Sequence, residues 1–333
     1  MHILILGAGG MIGRKLTGQL LAEGAVGARA ITGLTLADIA APPRPDTDLP
    51  VTCAAADLSD PAAAARLVAG RPDLIFHLAA IVSGEAEADF DKGYRINLGG
   101  MEALLAAIRA EGARAPYCPR LVFTSSLAVF GAPFPEVIPD DFAPAPLTSY
   151  GTQKAICELL LNDHSRRGLV DGVGIRLPTV VIRPGKPNRA ASGFFSGILR
   201  EPLIGEPAAL PVPRETRHWF CSPRAAVGYL IHAAGMDTAP LGAQRCLSMP
   251  ALSATVADEI AALERIAGPE AVRLIREVPD DGIARIVAGW PQAFDAARAT
   301  ALGFRGDADF DSIIRQHIAD DLGGRIGPGA ARG

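Results

Sequence analysis

The chain has 333 residues, of which 49% are hydrophobic and 20% are charged, and its formal net charge at pH 7 is −4. This balance is typical of a globular protein with a sizeable core, and scattered basic residues with a negative net charge argue against a nucleic-acid binder or a polybasic membrane-surface protein. The apolar start of the chain is short, and no apolar run is long enough for a membrane span. A cytoplasmic enzyme is therefore expected.

The cysteines are far apart, and no two of them form a Cys-x-x-Cys pair. That spacing fits neither a disulfide framework nor a zinc site. We therefore predict no metal site and expect reduced packing residues at Cys53, Cys118, Cys157, Cys221 and Cys246.

Strand and helix signals alternate through the first half of the chain, which predicts an α/β fold with a doubly wound parallel sheet. Buried parallel strands have continuous apolar runs, as at residues 2–6 and 74–78. Strands are predicted at 2–7, 31–38, 51–57, 73–79, 119–125 and 172–181, and helices at 11–23, 61–69, 86–110 and 150–167.

The second half begins with a segment, 184–216, that is rich in Pro, Gly and Arg and has one short helical piece near 194–199. A helix at 223–236 and a strand at 245–249 then predict a return to the sheet, and helices alternate with short strands over 253–320. We predict a main domain of residues 1–183 that takes in about 219–249, a smaller C-terminal substrate-binding domain of 184–218 and 250–322, and a flexible tail at 323–333.

A Gly-x-x-Gly-x-x-Gly turn, made by Gly7, Gly10 and Gly13, follows the first predicted strand and opens the first helix at Met11 and Ile12. Glycines let the backbone turn sharply and approach a pyrophosphate, and the helix N-terminus supplies N–H groups and a positive dipole. Glycine triplets are weak evidence alone, but a strand before and a helix after are the context that a dinucleotide site requires. The main domain is therefore interpreted as an NAD-binding Rossmann-type domain.

The ends of the next three predicted strands carry further candidate cofactor residues. At Asp38 a carboxylate would accept hydrogen bonds from the ribose hydroxyls and repel a 2′-phosphate, which favours NAD over NADP; the alternative is an ordinary turn aspartate. His77 is interpreted as structural. Residues expected beside the adenine are Asp57 and Leu58, and those expected against the rest of the cofactor are Leu78, Ala79 and Ala80.

Tyr150 and Lys154 are four residues apart and share one face of a predicted helix. A tyrosine ordinarily has a pKa near 10, and a neighbouring ammonium favours the phenolate, so Tyr150 is the candidate acid/base. Ser126 ends the fifth strand 24 residues earlier, where a hydroxyl can hold a substrate oxygen while Tyr150 takes its proton. Tyr-x-x-x-Lys alone is common by chance, whereas its combination with this serine and the glycine turn is not.

With these motifs the chain resembles the extended short-chain dehydrogenase/reductase family, also described as the NAD-dependent epimerase/dehydratase family, across roughly residues 1–250. The matching stretches are 7–13, 57–58, 77–80, 97–100, 125–131, 150–154 and 176–179.

The resemblance implies roles for single residues. Ser126, Tyr150 and Lys154 become the catalytic residues, and Lys154 also holds the nicotinamide ribose. Asn97 belongs to the cofactor site as a prop for the active-site helix. The helices at 86–110 and 150–167 form a dimer bundle in many members, which allows a homodimer here. Expected contacts to nicotinamide or substrate are Pro178, Thr179, Ser125 and Ser83.

Several epimerase features are missing. Cys221-Ser222-Pro223-Arg224 stands where epimerases carry a Val-x-Asp, Phe130 replaces a tyrosine, and Thr179 replaces an asparagine that contacts the nucleotide sugar. Two loops, 183–195 and 217–220, instead resemble family members that oxidise small sugar acids. We therefore predict oxidation at C2 of a small sugar acid, with a nucleotide-sugar epimerase or reductase as the alternative.

A sugar-acid substrate needs a cation for its carboxylate, and arginine can bind one through two parallel hydrogen bonds. Arg217 matches the arginine that grips a phosphate in epimerases and is the first candidate; Arg183 and Lys186 are further ones. A third class of function is a cofactor-sensing regulator without chemistry. Such proteins often lose the Tyr/Lys pair, which this chain keeps.

Overall fold

The computed structural model describes residues 1–185 and 191–327. The first elements are β1 (His2–Leu6), α1 (Met11–Glu23), β2 (Ala25–Val26), β3 (Arg29–Ala30), β4 (Gly33–Asp38), β5 (Val51–Ala55), α2 (Pro61–Val68), β6 (Leu74–His77), α3 (Ser83–Ala88), α4 (Phe90–Gly93), a π-helical turn (Tyr94–Leu98), α5 (Gly99–Arg114), β7 (Arg120–Ser126), a 3₁₀ turn (Leu127–Val129) and α6 (Ser149–Arg166).

The remaining elements alternate shorter strands and helices. They are β8 (Asp171–Leu177), β9 (Thr179–Val180), α7 (Gly193–Leu203), β10 (Ala208–Leu210), β11 (Arg217–Cys221), α8 (Pro223–Gly235), a 3₁₀ turn (Ala239–Leu241), β12 (Cys246–Ser248), β13 (Leu252–Thr255), α9 (Val256–Ala267), α10 (Pro269–Val272), β14 (Ile275–Glu277), α11 (Asp281–Ala288), α12 (Ala297–Ala301) and α13 (Phe310–Asp321).

A seven-stranded parallel sheet has the order β12-β8-β7-β6-β1-β4-β5. Strand order reverses beside β1, whose Leu6 pairs with Ala37 on one side and with His77 on the other. In doubly wound sheets ligands bind at the carboxyl ends of the strands near this reversal. The predicted Rossmann-type sheet is confirmed, and its functional edge is the one where the glycine turn begins.

The strands form because their apolar runs are buried on both faces, as the continuous burial of β1 and β6 shows. Chain contacts divide the molecule into two compact units, and the sheet belongs to the first. One face of that sheet carries a core with Leu4, Leu6, Ile75 and Phe123, which packs with apolar residues of α2, α5 and α6. The first unit consists of Met1–Val129, Pro144–Leu177 and Val227–Ser248.

The second unit consists of Phe130–Ala143, Pro178–Ala226 and Met249–Gly333. Its small sheet has the order β13-β11-β9, β10 pairs with β14, and its core includes Phe195, Phe220, Leu263 and Ile314. The predicted division assigned residues 130–143, 178–183 and 219–226 to the main domain. The structure groups all three segments with the second unit, where β9 pairs with β11 and Ile138 bridges to Phe294. The end of the predicted tail, 328–333, lies outside the described residues.

Two predicted elements differ from the structure. The helix predicted over 86–110 is divided, because Asp89 caps a new helix through the Lys92 N–H and a π-helical turn precedes α5. The strand predicted over 172–181 ends at Leu177, and β9 joins a different sheet. Pro178 separates the two strands, and proline has no N–H to donate to a ladder.

Among the described residues, no helix combines the length and the apolar character that crossing a membrane requires.

Candidate active site

The glycine turn is packed so closely that side chains would not fit. Gly7 has φ +87°, and a Cβ on it would lie 2.7 Å from the Ala79 nitrogen. A Cβ on Gly13 would lie 2.3 Å from the Gly7 carbonyl oxygen. Gly10 caps α1, which begins at Met11 and continues through Ile12. The turn therefore exposes backbone at a helix N-terminus, and this cradle fits the pyrophosphate of a dinucleotide.

Asp38, at the end of β4, lies against the glycine turn. Its Oδ2 accepts the Gly9 N–H at 2.9 Å and its Oδ1 accepts the Ile39 N–H at 2.7 Å. The fold thus brings together two parts of the predicted cofactor site: the glycine turn that is expected to bind the pyrophosphate, and the Asp38 carboxylate that is expected to bind the ribose. A fixed negative charge at this place suits a ribose with free hydroxyls.

Other predicted cofactor residues follow the neighbouring strands. Asp57 accepts hydrogen bonds from the N–H and the hydroxyl of Ser59, at 2.9 and 2.7 Å, and these bonds lower the pKa of its carboxyl. Leu58 is buried and lies beside Gly100. Residues 78–80 follow β6 and are half-buried, with the Ala79 backbone beside Gly7. Ser83 begins α3 and is half-buried.

Helix α6 carries the predicted acid/base pair. The Lys154 Nζ lies 5.7 Å from the centre of the Tyr150 ring and donates to the Thr124 carbonyl at 2.8 Å. Lys154 is buried, which lowers its pKa to about 8, while Cys157 and Glu158 act in the opposite direction. Tyr150 is half-buried. The pair is therefore on one helix face, as its spacing predicts.

The start of α6 is pressed against the end of β7. Thr148 caps the helix by accepting the Gly151 N–H at 3.1 Å. A Cβ on Gly151 would lie 2.0 Å from the Ala128 carbonyl oxygen. In the same turn the Ser126 hydroxyl accepts the Ala128 N–H at 3.2 Å. This close approach seats Tyr150 and Ser126 on adjoining backbone segments of the first unit.

Asn97 lies in the π-helical turn and links two segments. Its Oδ1 accepts the Ile81 N–H at 2.9 Å and its Nδ2 donates to Gln153 Oε1 at 2.8 Å. Because Gln153 directly precedes Lys154 on α6, these contacts support a role as a prop rather than as a ligand. Sequence reasoning missed Gln153. His77 is buried, and burial lowers its pKa to about 3, so its ring is neutral at physiological pH.

Ser125 is placed differently from its expected role in the substrate pocket. The residue is 2% exposed, and its hydroxyl donates to Glu158 Oε1 at 2.5 Å. The Glu158 carboxylate also binds Arg176. The hydroxyl is buried and already donates to a carboxylate, so it is not available to a substrate. We therefore reassign Ser125 from a substrate contact to a residue that holds the end of β7 against α6. Glu158 was missed, although its position four residues after Lys154 places it on the same helix face.

In the second unit, Thr179 and His218 form a pair that sequence reasoning did not predict. The Thr179 Oγ1 lies 2.6 Å from the His218 Nε2. His218 stacks on Phe195, with ring centres 5.4 Å apart, and also contacts Trp290. Burial lowers the pKa of His218 to about 4, so this ring is neutral at physiological pH. Pro178, before Thr179, is buried.

The predicted cationic residues of the second unit have different surroundings. Arg183 donates through Nε to the Val180 carbonyl at 3.0 Å and through Nη2 to the Ser192 hydroxyl at 2.6 Å. Arg217 begins β11, is exposed, and donates from Nη1 to the Ser253 carbonyl at 3.2 Å. Lys186 lies outside the described residues.

No group of three or more His, Cys, Asp or Glu side chains suited to a metal occurs within 1–185 and 191–327.

Comparison with known proteins identifies the family. A model of the NAD dependent epimerase/dehydratase family matches residues 3–219, which is more than half of the chain. The chain belongs to this family. The predicted resemblance is thereby confirmed, and so is NAD as the cofactor, which the glycine cradle and Asp38 fit.

Members of the NAD dependent epimerase/dehydratase family with high similarity carry two kinds of name. D-erythronate dehydrogenase of Cupriavidus necator is 47% identical over 96% of this chain and 98% of the relative. The protein of that name from Haemophilus influenzae is 42% identical over 97% of this chain and 100% of the relative. A solved structure described as a nucleoside-diphosphate-sugar epimerase from Agrobacterium tumefaciens is 59% identical, with a TM-score of 0.95, and the match covers 97% of this chain and 95% of that one.

Proposed function

We propose that this chain is an NAD-dependent dehydrogenase that oxidises C2 of D-erythronate to 2-oxo-D-erythronate. The observation that carries the proposal is the near full-length similarity to two D-erythronate dehydrogenases, at 47% and 42% identity. The arrangement of Ser126, Tyr150 and Lys154 in the first unit supports an acid/base reaction at a hydroxyl-bearing carbon. The missing epimerase features at Thr179 and 221–224 support a substrate other than a nucleotide sugar.

Each residue of the site has a proposed task. The glycine turn and Asp38 hold the dinucleotide, which supplies the hydride acceptor when it is bound. Ser126 donates a hydrogen bond to the C2 oxygen, and Tyr150 takes the proton of the C2 hydroxyl. The Lys154 ammonium, held by the Thr124 carbonyl, stabilises the negative charge on the phenol oxygen.

The substrate carboxylate requires a cation, and we propose Arg217 for this task. Its exposed guanidinium is bound to a neutral carbonyl at Ser253. Arg183, by contrast, already donates to Val180 and Ser192 and is proposed to shape the second unit. Lys186 and Ser83 stay predictions as substrate contacts.

The alternative is a nucleotide-sugar epimerase or reductase, which the name of the 59% identical structure favours. Formation of NADH distinguishes the two functions, because an epimerase returns its cofactor to the starting state after each turnover. Purified protein is incubated with NAD and a panel of four-carbon sugar acids, and separately with UDP-glucose. NADH formation with D-erythronate supports the proposal. Conversion of UDP-glucose without net NADH, together with no reaction of any four-carbon acid, contradicts it.

A cytoplasmic location and a homodimer stay predictions. For the dimer, Leu159 is the residue to test, because it lies on α6, one of the two helices expected in the bundle, and is 68% exposed. Light scattering after size-exclusion chromatography of the unmodified chain and of Leu159→Glu tests it: a dimer that becomes a monomer is the expected result.

A further inference from the structure

A buried polar cluster lies behind the reacting groups of the first unit. The Ser125 hydroxyl donates to Glu158 Oε1 at 2.5 Å, and Arg176 donates from Nε to Oε1 at 3.0 Å and from Nη2 to Oε2 at 2.8 Å. Ser125, Glu158 and Arg176 are 2%, 3% and 8% exposed. Both oxygens of the carboxylate are therefore occupied by donors, in a place from which water is excluded.

The cluster joins the three elements on which the reaction depends. Ser125 ends β7 immediately before Ser126, and Arg176 lies on the adjacent strand β8, where it pairs with Ser125 in the ladder. Glu158 lies one helical turn after Lys154 and two turns after Tyr150 on α6. A buried charge is costly unless it is paired and hydrogen-bonded, and the arginine fork satisfies this condition. Glu158 thus carries a stable negative charge close to the catalytic helix face.

The groups that face Lys154 come from three elements. On α6 they are Tyr150, Cys157 and Glu158, on β7 the Thr124 carbonyl and the Phe123 ring, and on β6 His77.

Two of these titratable groups are neutral at physiological pH. Burial raises the pKa of Cys157 to about 12, and burial lowers the pKa of His77 to about 3. Because the Cys157 thiol is neutral, Glu158 is the acidic side chain among these groups that favours the Lys154 ammonium, and Arg176 replaces the water that burial removes from its carboxylate.

We propose that Glu158 is a positioning residue for the reaction, which fixes the β7 end that bears Ser126 through Ser125 and supports the charged state of Lys154. This inference rests on the proposed dehydrogenase function. It also explains why Ser125 is turned away from a substrate role.

The charge effect is measured without any substrate. The chain has four lysines, Lys15, Lys92, Lys154 and Lys186, so protein labelled with ¹³C at the lysine ε-carbon gives few signals to resolve, and Lys154→Met assigns the relevant one. The Lys154 pKa is titrated in the unmodified chain, in Glu158→Gln and in Glu158→Asp. We expect the pKa to fall by about one pH unit or more in Glu158→Gln and to stay nearly unchanged in Glu158→Asp, which keeps the charge. Glu264→Gln, an exposed carboxylate on α9, is the control for loss of one charge.

The geometric effect is measured by kinetics with D-erythronate and NAD. Ser125→Ala leaves the Glu158–Arg176 pair in place and should lower kcat about tenfold, while the KM for the acid stays within about twofold. A rise in KM with kcat retained would show a substrate contact and overturn the positioning role. In Glu158→Gln both limbs of the pH profile of kcat should move to lower pH, since loss of a negative charge favours the deprotonated forms of Tyr150 and Lys154.

The outcomes distinguish a positioning role of Glu158 from a merely structural one. If Glu158→Gln lowers kcat without moving either the Lys154 pKa or the pH profile, its role is structural and the inference is wrong. If Glu158→Gln does not fold because Arg176 loses the Glu158 carboxylate, Ser125→Ala still decides the positioning role by its kcat and KM. If the unmodified chain does not oxidise D-erythronate, the proposed substrate fails while the titration still tests the charge effect.

Discussion

The Lys154 ammonium donates to the Thr124 carbonyl at 2.8 Å, in a position where the lysine is 3% exposed. A single carbonyl is a weak partner for a buried charge, and burial accordingly lowers the Lys154 pKa from 10.5 to about 8. The site therefore maintains a cation at a cost to the stability of the fold.

This cost depends on pH. Between about pH 8 and 10.5 the lysine is protonated in the unfolded chain but not in the folded one, so the unfolded state binds more protons and stability rises with pH across this window. Below pH 8 the full penalty, about 3 kcal/mol, is present. Lys154→Met should thus raise the free energy of unfolding at pH 7 by up to about 3 kcal/mol, less the lost hydrogen bond, while abolishing activity.

Urea denaturation at pH 7, 9 and 10.5 measures this effect. The stability advantage of Lys154→Met should shrink as the pH rises through the window. Lys92→Met, at a half-exposed lysine paired with Glu85, is the control and should show little gain. A Lys154→Met protein that is less stable than the unmodified chain at pH 7 would contradict the assigned penalty.

Tyr150→Phe removes the phenol that is proposed to take the C2 hydroxyl proton. General-base catalysis contributes about a hundredfold or more, so kcat should fall by at least that factor. NADH affinity, followed by fluorescence titration, should change much less. Tyr117→Phe removes a phenol that donates to the Pro72 carbonyl and should keep near-normal turnover. Near-normal turnover of Tyr150→Phe would exclude it as the base.

Asp38→Ala removes the carboxylate that lies against the glycine turn. The negative charge should repel the 2′-phosphate of NADP, so the unmodified chain should prefer NAD strongly and the variant should show a smaller preference. The ratio of kcat/KM values for the two cofactors measures this, with Asp46→Ala, an exposed aspartate, as the control. Equal efficiency of the unmodified chain with both cofactors would refute the role of Asp38.

Arg217→Ala tests the proposed carboxylate clamp. A charge-assisted hydrogen bond is worth about 1.5–3 kcal/mol, so the KM for D-erythronate should rise about tenfold to a hundredfold. Erythritol, which has no carboxylate, should bind poorly to the unmodified chain, and its KM should be almost the same in Arg217→Ala. Arg214→Ala, at an exposed arginine paired with Glu277, is the matched control. Equal losses for acid and polyol in Arg217→Ala would eliminate the clamp.

The central sheet could be predicted from sequence because its strands are buried on both faces and appear as apolar runs bounded by turns. The glycine turn could also be predicted, because the tight turn between β1 and α1 needs residues without side chains, and this need is visible in the sequence itself. The division of the 86–110 helix was not predicted, because no proline marks the break at Asp89 and the π-helical turn at Tyr94–Leu98 has no sequence signal of its own.

The placement of Tyr150 and Lys154 on one helix face could be predicted because they are four residues apart. The support around it could not, because Ser125, Glu158 and Arg176 meet only through the pairing of β7 with β8 and the packing of α6. The family resemblance assigned Ser125 to the substrate pocket. In a strand, however, successive side chains point to opposite faces, and this alternation turns Ser125 towards Glu158.

The glycine beside the reactive tyrosine has a consequence for how this enzyme can be altered. Because any larger residue at 151 would collide with the Ala128 carbonyl, the start of α6 tolerates no side chain at its contact with the turn after β7. The close approach of the segments that carry Tyr150 and Ser126 therefore depends on the glycine at 151. Attempts to change the substrate range should leave 126–128 and 148–154 unchanged and vary the second-unit segments around Arg183 and Arg217 instead.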